Sequence, residues 1–112
     1  MKKFFVLYRA PVGAMEQMSK ATLEEMKKGM EPWFEWKDKI GDALVDMGKP
    51  LASPQKVTKS GSSKSNSTIC GYSILHANSL DEAVGMIKDH PHLSWVDGAE
   101  IEVLEEMPML GK

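Results

Sequence analysis

Thr68-Ile69-Cys70-Gly71-Tyr72-Ser73-Ile74-Leu75-His76-Ala77 runs almost directly into Ser79-Leu80-Asp81-Glu82. The first ten residues are rich in β-branched and aromatic side chains and read as a strand. Alternation along it puts Cys70, Tyr72, Ile74 and His76 on one face. Ser79 stands three residues before Glu82, the spacing of a capping box, in which each side chain satisfies an orphan backbone N–H at a helix start. The helix it opens carries Leu80, Ala83, Val84 and Ile87, and is expected to stop at His90 because Pro91 follows. Downstream, Ala99 to Glu105 reads as a last strand, with Ile101 and Val103 facing one way. Glu100 and Glu102 face the other way, toward solvent or toward lysines across a dimer.

Upstream, Ser60 to Ser67 is polar and low in complexity, a loop or hairpin tip. Leu51 to Lys59 is ambiguous, with Val57-Thr58 its strand-like pair. Residues 15–48 read as helical. A capping box at Thr22 and Glu25 precedes apolar residues at Leu23, Met26, Met30, Trp33, Phe34, Ile40, Leu44 and Met47, close to a 3.6 period. Pro32 predicts either a kink or two helices, the second starting near it. Gly48 is the expected stop, with Pro50 after it. Phe4 to Tyr8 reads as the first strand, apolar on both faces: Phe4, Val6 and Tyr8 on one, Phe5 and Leu7 on the other.

The order is strand, helix, weak strand, strand, helix, strand. That is the α+β, ferredoxin-like split βαβ plait: a four-stranded antiparallel sheet with helices on one face. Two helices cover one sheet face, so a first strand apolar on both sides calls for a second cover. A second copy of the chain, packed sheet to sheet as a homodimer, is the simplest one.

Composition sets the outer bounds. The chain has 112 residues, which favours one domain spanning 1–112. A net charge of -2 argues against a nucleic-acid partner, whose readers are usually strongly basic. No apolar run approaches the ~18 residues of a membrane span. The single cysteine, Cys70, excludes an internal disulfide framework and fits a reducing, cytoplasmic setting. Neither phosphate-loop nor dinucleotide-turn glycine patterns occur, nor C-x-x-C or H-E-x-x-H, so no cofactor is implied.

Several segments, taken in order, resemble the YCII-related, or DGPF-domain, family. They are Pro32-Trp33-Phe34-x-Trp36, Gly41-Asp42-Ala43-Leu44-Val45-Asp46-x-Gly48-x-Pro50-Leu51, Gly71-Tyr72-Ser73-Ile74, Ser79-Leu80-Asp81-Glu82-Ala83, His90-Pro91-His92-Leu93 and the ending from Glu100 to Pro108. The resemblance runs over nearly the whole chain. It implies a dimeric α+β barrel and, for most members, no assigned activity. A few relatives in the wider superfamily process lactones or dehalogenate substrates with a histidine–aspartate pair. Asp46 falls at the aspartate's place; the histidine's place, near Trp36 or Lys37, holds no histidine.

The candidate chemistry centres on His90 and Asp46. Imidazole titrates near neutral pH, so His90 is a candidate acid or base with Asp46 or Asp42 as its orienting partner. The alternative is a histidine that caps the end of its helix. A pocket between helices and sheet is expected to use Tyr8, Trp33, Trp36, Asp42, His76, His92 and Trp95. The same tryptophans serve equally as core or dimer packing. A metal held by His90 and His92 lacks a clear third ligand, His76, Asp89 and Glu100 being the candidates. Asp38, Asp42 and Asp46 recur every four residues and suggest one helix face. Arg9 is expected to hold a carboxylate, from a ligand or from Glu102 or Glu105. Met107 to Leu110 forms an apolar tail for docking on a partner subunit. Two functions follow: cofactor-free acid/base chemistry on a small organic acid or lactone, or a non-catalytic module that binds a small molecule or a protein.

Overall fold

The computed structural model describes residues 1–108. Strand β1 spans Lys2–Arg9, helices α1 and α2 span Val12–Ser19 and Leu23–Ile40, and β2 spans Leu44–Asp46. A hairpin follows, β3 over Gln55–Thr58 and β4 over Gly61–Lys64. Strand β5 is Ile69–Ala77, helix α3 is Leu80–Ile87, and β6 is Glu100–Glu105. The main sheet is antiparallel with order β2-β5-β1-β6, an α+β arrangement compatible with a ferredoxin-like plait.

Alternation along β1 decides where the core lies. Phe4, Val6 and Tyr8 are buried beneath the helices, while Phe5, Leu7, Lys3 and Arg9 point to the other side. On β5 the buried side is continued by Ser73, Leu75 and Ala77, and on β6 by Val103 and Ile101. Trp36 of α2, together with Ala83 and Ile87 of α3, closes the layer.

Four sequence expectations change. The helical period over 15–48 does not persist. A break at Lys20–Ala21 separates α1 from α2, and α2 begins on the Thr22–Glu25 capping box. Pro32 sits inside α2 on its exposed side, where water can serve the Lys28 carbonyl that the missing N–H leaves unpaired. Helix α2 ends at Ile40 because Gly41 takes φ 57°, a left-handed value that stops the winding. Leu44 to Asp46, expected as the last helical turn, is instead edge strand β2 paired with β5. Leu44 keeps its core contact there, so a helical and an extended reading bury the same residue.

The second change concerns the weak strand sought between Leu51 and Lys59. It forms β3 of a separate two-stranded hairpin rather than a member of the main sheet. Third, Cys70 does not share a face with Tyr72, Ile74 and His76. A register shift between Tyr8 and Arg9 makes Cys70 an extra residue opposite β1, and its thiol turns into the core. Fourth, α3 stops at Ile87, three residues before His90. Of the expected docking tail, Met107 is exposed, and Met109 and Leu110 lie outside the described residues.

Candidate functional site

Three segments meet at one end of the helical layer. Tyr8 comes from the C-terminal half of β1. Trp33 and Trp36 come from α2, three residues apart and therefore on one surface of the helix. The third segment is a short 3-10 turn, Pro91–Ser94, flanked by His90 and Trp95. Proline fits the first position of such a turn, where its missing N–H costs nothing.

His90 lies at the centre and is 1% exposed. Its ring centroid is 4.9 Å from Tyr8, 4.4 Å from Trp33 and 4.4 Å from Trp36, with both indoles in T-shaped arrangements to it. Nδ1 of His90 accepts a hydrogen bond from the backbone N–H of His92 at 3.0 Å. The histidine thus caps the start of the 3-10 turn and not the end of α3. Accepting at Nδ1 places the ring proton on Nε2, which is buried without a partner among the described residues. Burial first, and the neighbouring His92 second, push the His90 pKa down to about 3. The imidazole is neutral at physiological pH and faces aromatic rings rather than a carboxylate.

His92 is also buried, and its Nε2–H donates to the Arg9 carbonyl at 2.8 Å, tying the turn to the end of β1. Trp36 Nε1–H donates to the Met86 carbonyl at 2.9 Å, fastening α2 to α3. The Ser73 hydroxyl donates to the Met47 carbonyl at 2.7 Å, so the Tyr8 hydroxyl donates to Ser73 Oγ at 2.7 Å. Burial raises the Tyr8 pKa to about 12, with the Ser73 bond opposing. Ser73 was not foreseen. A lone serine on the buried side of an apolar strand is the pattern that marks it, because a buried hydroxyl needs partners.

The remaining predicted residues lie elsewhere. Asp46 is exposed on β2, and its Oδ1 accepts from the Gly48 N–H at 2.8 Å; no hydrogen bond joins it to His90. Gly48 takes φ 77° with its α-carbon against the Tyr72 carbonyl, where a side chain would collide. Asp42 is exposed in the 3-10 turn Gly41–Ala43, so Asp38, Asp42 and Asp46 do not share one helix face. His76 is half-buried on the sheet face away from the helices, opposite Lys3. Arg9 pairs with Glu102 at 3.3 Å and donates from Nε to Thr68 Oγ1 at 3.0 Å. Among the described residues, no three His, Cys, Asp or Glu side chains gather as a metal set.

The space open to a ligand lies outside this aromatic box. A depression of about 440 Å³ is lined by Gly29, Pro32, Trp33, Pro91, Ser94 and Trp95. Trp33 belongs to both: its indole packs against His90 and Tyr8, and it also lines the depression. A second depression of about 190 Å³, across Pro32 and Pro91, is bordered by Glu35, Trp36, Lys39 and Asp89. No family model and no curated protein matches the sequence.

Proposed function

We propose that this protein is a homodimeric, YCII-related module of the dimeric α+β barrel kind that binds a small, flat, largely apolar molecule without transforming it. The observation that carries the binding reading is the depression between Trp33 and Trp95. Its volume lies within the 300–1,000 Å³ usual for ligand sites. Two indoles and two prolines supply apolar walls, and Ser94 adds a polar residue to the lining. The rigid, neutral box beneath holds Trp33 in place, so the wall needs little ordering when a ligand arrives.

Acid/base chemistry by His90 and Asp46 is the weaker alternative. A general base needs hydrogen-bond reach of its substrate and a pKa near the working pH. His90 has a pKa near 3 and no exposed nitrogen, and Asp46 is engaged with Gly48.

The unpartnered sheet face supports the pairing. Phe5, Leu7, Tyr72, Ile74 and Leu104 form an apolar surface there. The chain exposes 8257 Å², about a third more than the ~6,100 Å² expected of a compact monomer of this mass. Its radius of gyration, 15.5 Å, exceeds the ~13 Å of a compact chain of this length.

Tryptophan fluorescence titrated with aromatic carboxylic acids and unsaturated lactones tests the binding. Saturable quenching that Trp95→Ala removes is expected, while unchanged emission across both ligand classes overturns the reading. Product formation from any of them, lost in His90→Gln, would restore the catalytic alternative.

A further inference from the structure

The β3–β4 hairpin has no packing surface of its own. All eight strand residues are exposed, Val57 included. An isolated two-stranded hairpin is marginally stable in water, because neither face buries apolar area. Its root is fixed: Pro50 bridges Gly71, and the Leu51 N–H donates to the Cys70 carbonyl, so the hairpin leaves the fold at the β2–β5 side of the sheet.

Charge is divided between the two sides of the sheet. No aspartate or glutamate occurs between Asp46 and Asp81, while Lys49, Lys56, Lys59 and Lys64 fall in that interval. None of these four lysines has an ion-pair partner among the described residues. At the other side lies β6, with no strand on its outer edge among the described residues; Asp97 stands in the turn before it, Glu100, Glu102 and Glu105 lie along it, and Glu106 follows. Arg9, Lys2 and Lys3 engage Glu102, Glu105 and Glu106, leaving Asp97 and Glu100 without a cation among the described residues.

We infer that the β3–β4 hairpin of one copy lies along the outer edge of β6 of a second copy, with Lys56, Lys59 and Lys64 facing Asp97 and Glu100. The inference rests on the sheet-to-sheet pairing proposed above and adds its register. When two sheets meet face to face about a twofold axis parallel to their strands, the β2 side of one lies over the β6 side of the other. The hairpin rooted at β2 then reaches the partner's acidic edge, and symmetry makes the contact twice. Lysines on a bare strand also discourage edge-to-edge aggregation, so a direct readout of the contact is required.

Carbodiimide coupling of the wild-type dimer, assembled from equal amounts of ¹⁴N- and ¹⁵N-labelled chains, supplies it. Mixed-isotope links from Lys56, Lys59 or Lys64 to Asp97 or Glu100 are expected. The triple variant K56E/K59E/K64E should raise the dimer dissociation constant roughly tenfold or more at low salt. Asp97→Lys with Glu100→Lys should do the same, and mixing the two variants should restore association. A wild-type dimer with only single-isotope links and an unchanged constant in both variants overturns the hairpin contact and leaves the sheet pairing standing. A wild-type chain that stays monomeric at high concentration overturns both. Binding of heparin or anionic vesicles through these lysines, with dimerisation unaffected by charge reversal, also overturns the contact and makes the hairpin a polyanion reader.

Discussion

The two faces of β1 are built from similar residues and live in different surroundings. Phe4, Val6 and Tyr8 are sealed under helices, whereas Phe5 and Leu7, one residue out of phase, lie on a face that no helix or strand among the described residues covers. Phe4 is fully buried and Phe5 is 38% exposed. The apolar side chains alone therefore do not distinguish inside from outside here; the connections do, since the helices return to the same side. Such a strand spends apolar residues on a surface that the monomer cannot use, and the homodimer proposed above would cover it.

The largest expected effect lies on the sealed face. Trp36→Ala removes a 4% exposed indole and its bond to the Met86 carbonyl. The loss should be ~3–5 kcal/mol in denaturant unfolding. A loss under ~1 kcal/mol would show that the two faces are equally loose. On the uncovered face, Phe5→Glu should leave far-UV circular dichroism unchanged while reducing the sedimenting mass to the 12.4 kDa of one chain. If the wild-type chain sediments as the proposed dimer and the variant does too, the interface lies away from this face.

Acid sharpens the same comparison. The unfolded His90 titrates near 6.5 and the folded one near 3. Above pH 6.5 both states are neutral and the group adds no pH dependence. Between 6.5 and 3 the unfolded chain takes up a proton that the native chain does not, so stability falls with pH by up to ~1.4 kcal/mol per unit. Urea midpoints across this window should flatten in His90→Phe; an unchanged slope would place the acid sensitivity elsewhere. The smallest effect is expected of Tyr8→Phe. It deletes one buried donor to Ser73, whose own bond to the Met47 carbonyl remains, and should cost ~1 kcal/mol. A loss several times larger would mean that the phenol also organises the neighbouring histidines.

The sequence made strands legible where alternation or β-branching was dense, as in Phe4–Tyr8 and Thr68–Ala77. It also marked two helix starts: Thr22 and Glu25 form the full capping box, whereas at Ser79 only the Glu82 N–H bond to the hydroxyl forms and the Glu82 carboxylate accepts from Asn78 instead. It misplaced β2 because Leu44 fits the helical period as well as it fits an edge strand; only the left-handed Gly41 separates the two, and glycine at such a site is not unique to helix ends. Of the residues expected to line one pocket, Tyr8, Trp33, Trp36 and His92 pack around His90, whereas Asp42 and His76 lie elsewhere and Trp95 lines the depression outside. Their shared outcome, a neutral histidine enclosed by rings, depends on long-range packing of β1, α2 and the Pro91–Ser94 turn. No local spacing encodes that. Asp46 stood within a suggestive motif, but its carboxylate is consumed by the next turn of chain.

A strand with apolar residues on both sides lacks the usual guard against threading one residue out of step, since either set could enter the core. Lys3 and Arg9 restore it. They share the phase of Phe5 and Leu7, so a slipped β1 would carry two charges under the helices while pulling the Tyr8 hydroxyl away from Ser73. The fidelity with which this chain finds its own alignment thus rests on two cations at the ends of its first strand, rather than on the greasy residues between them.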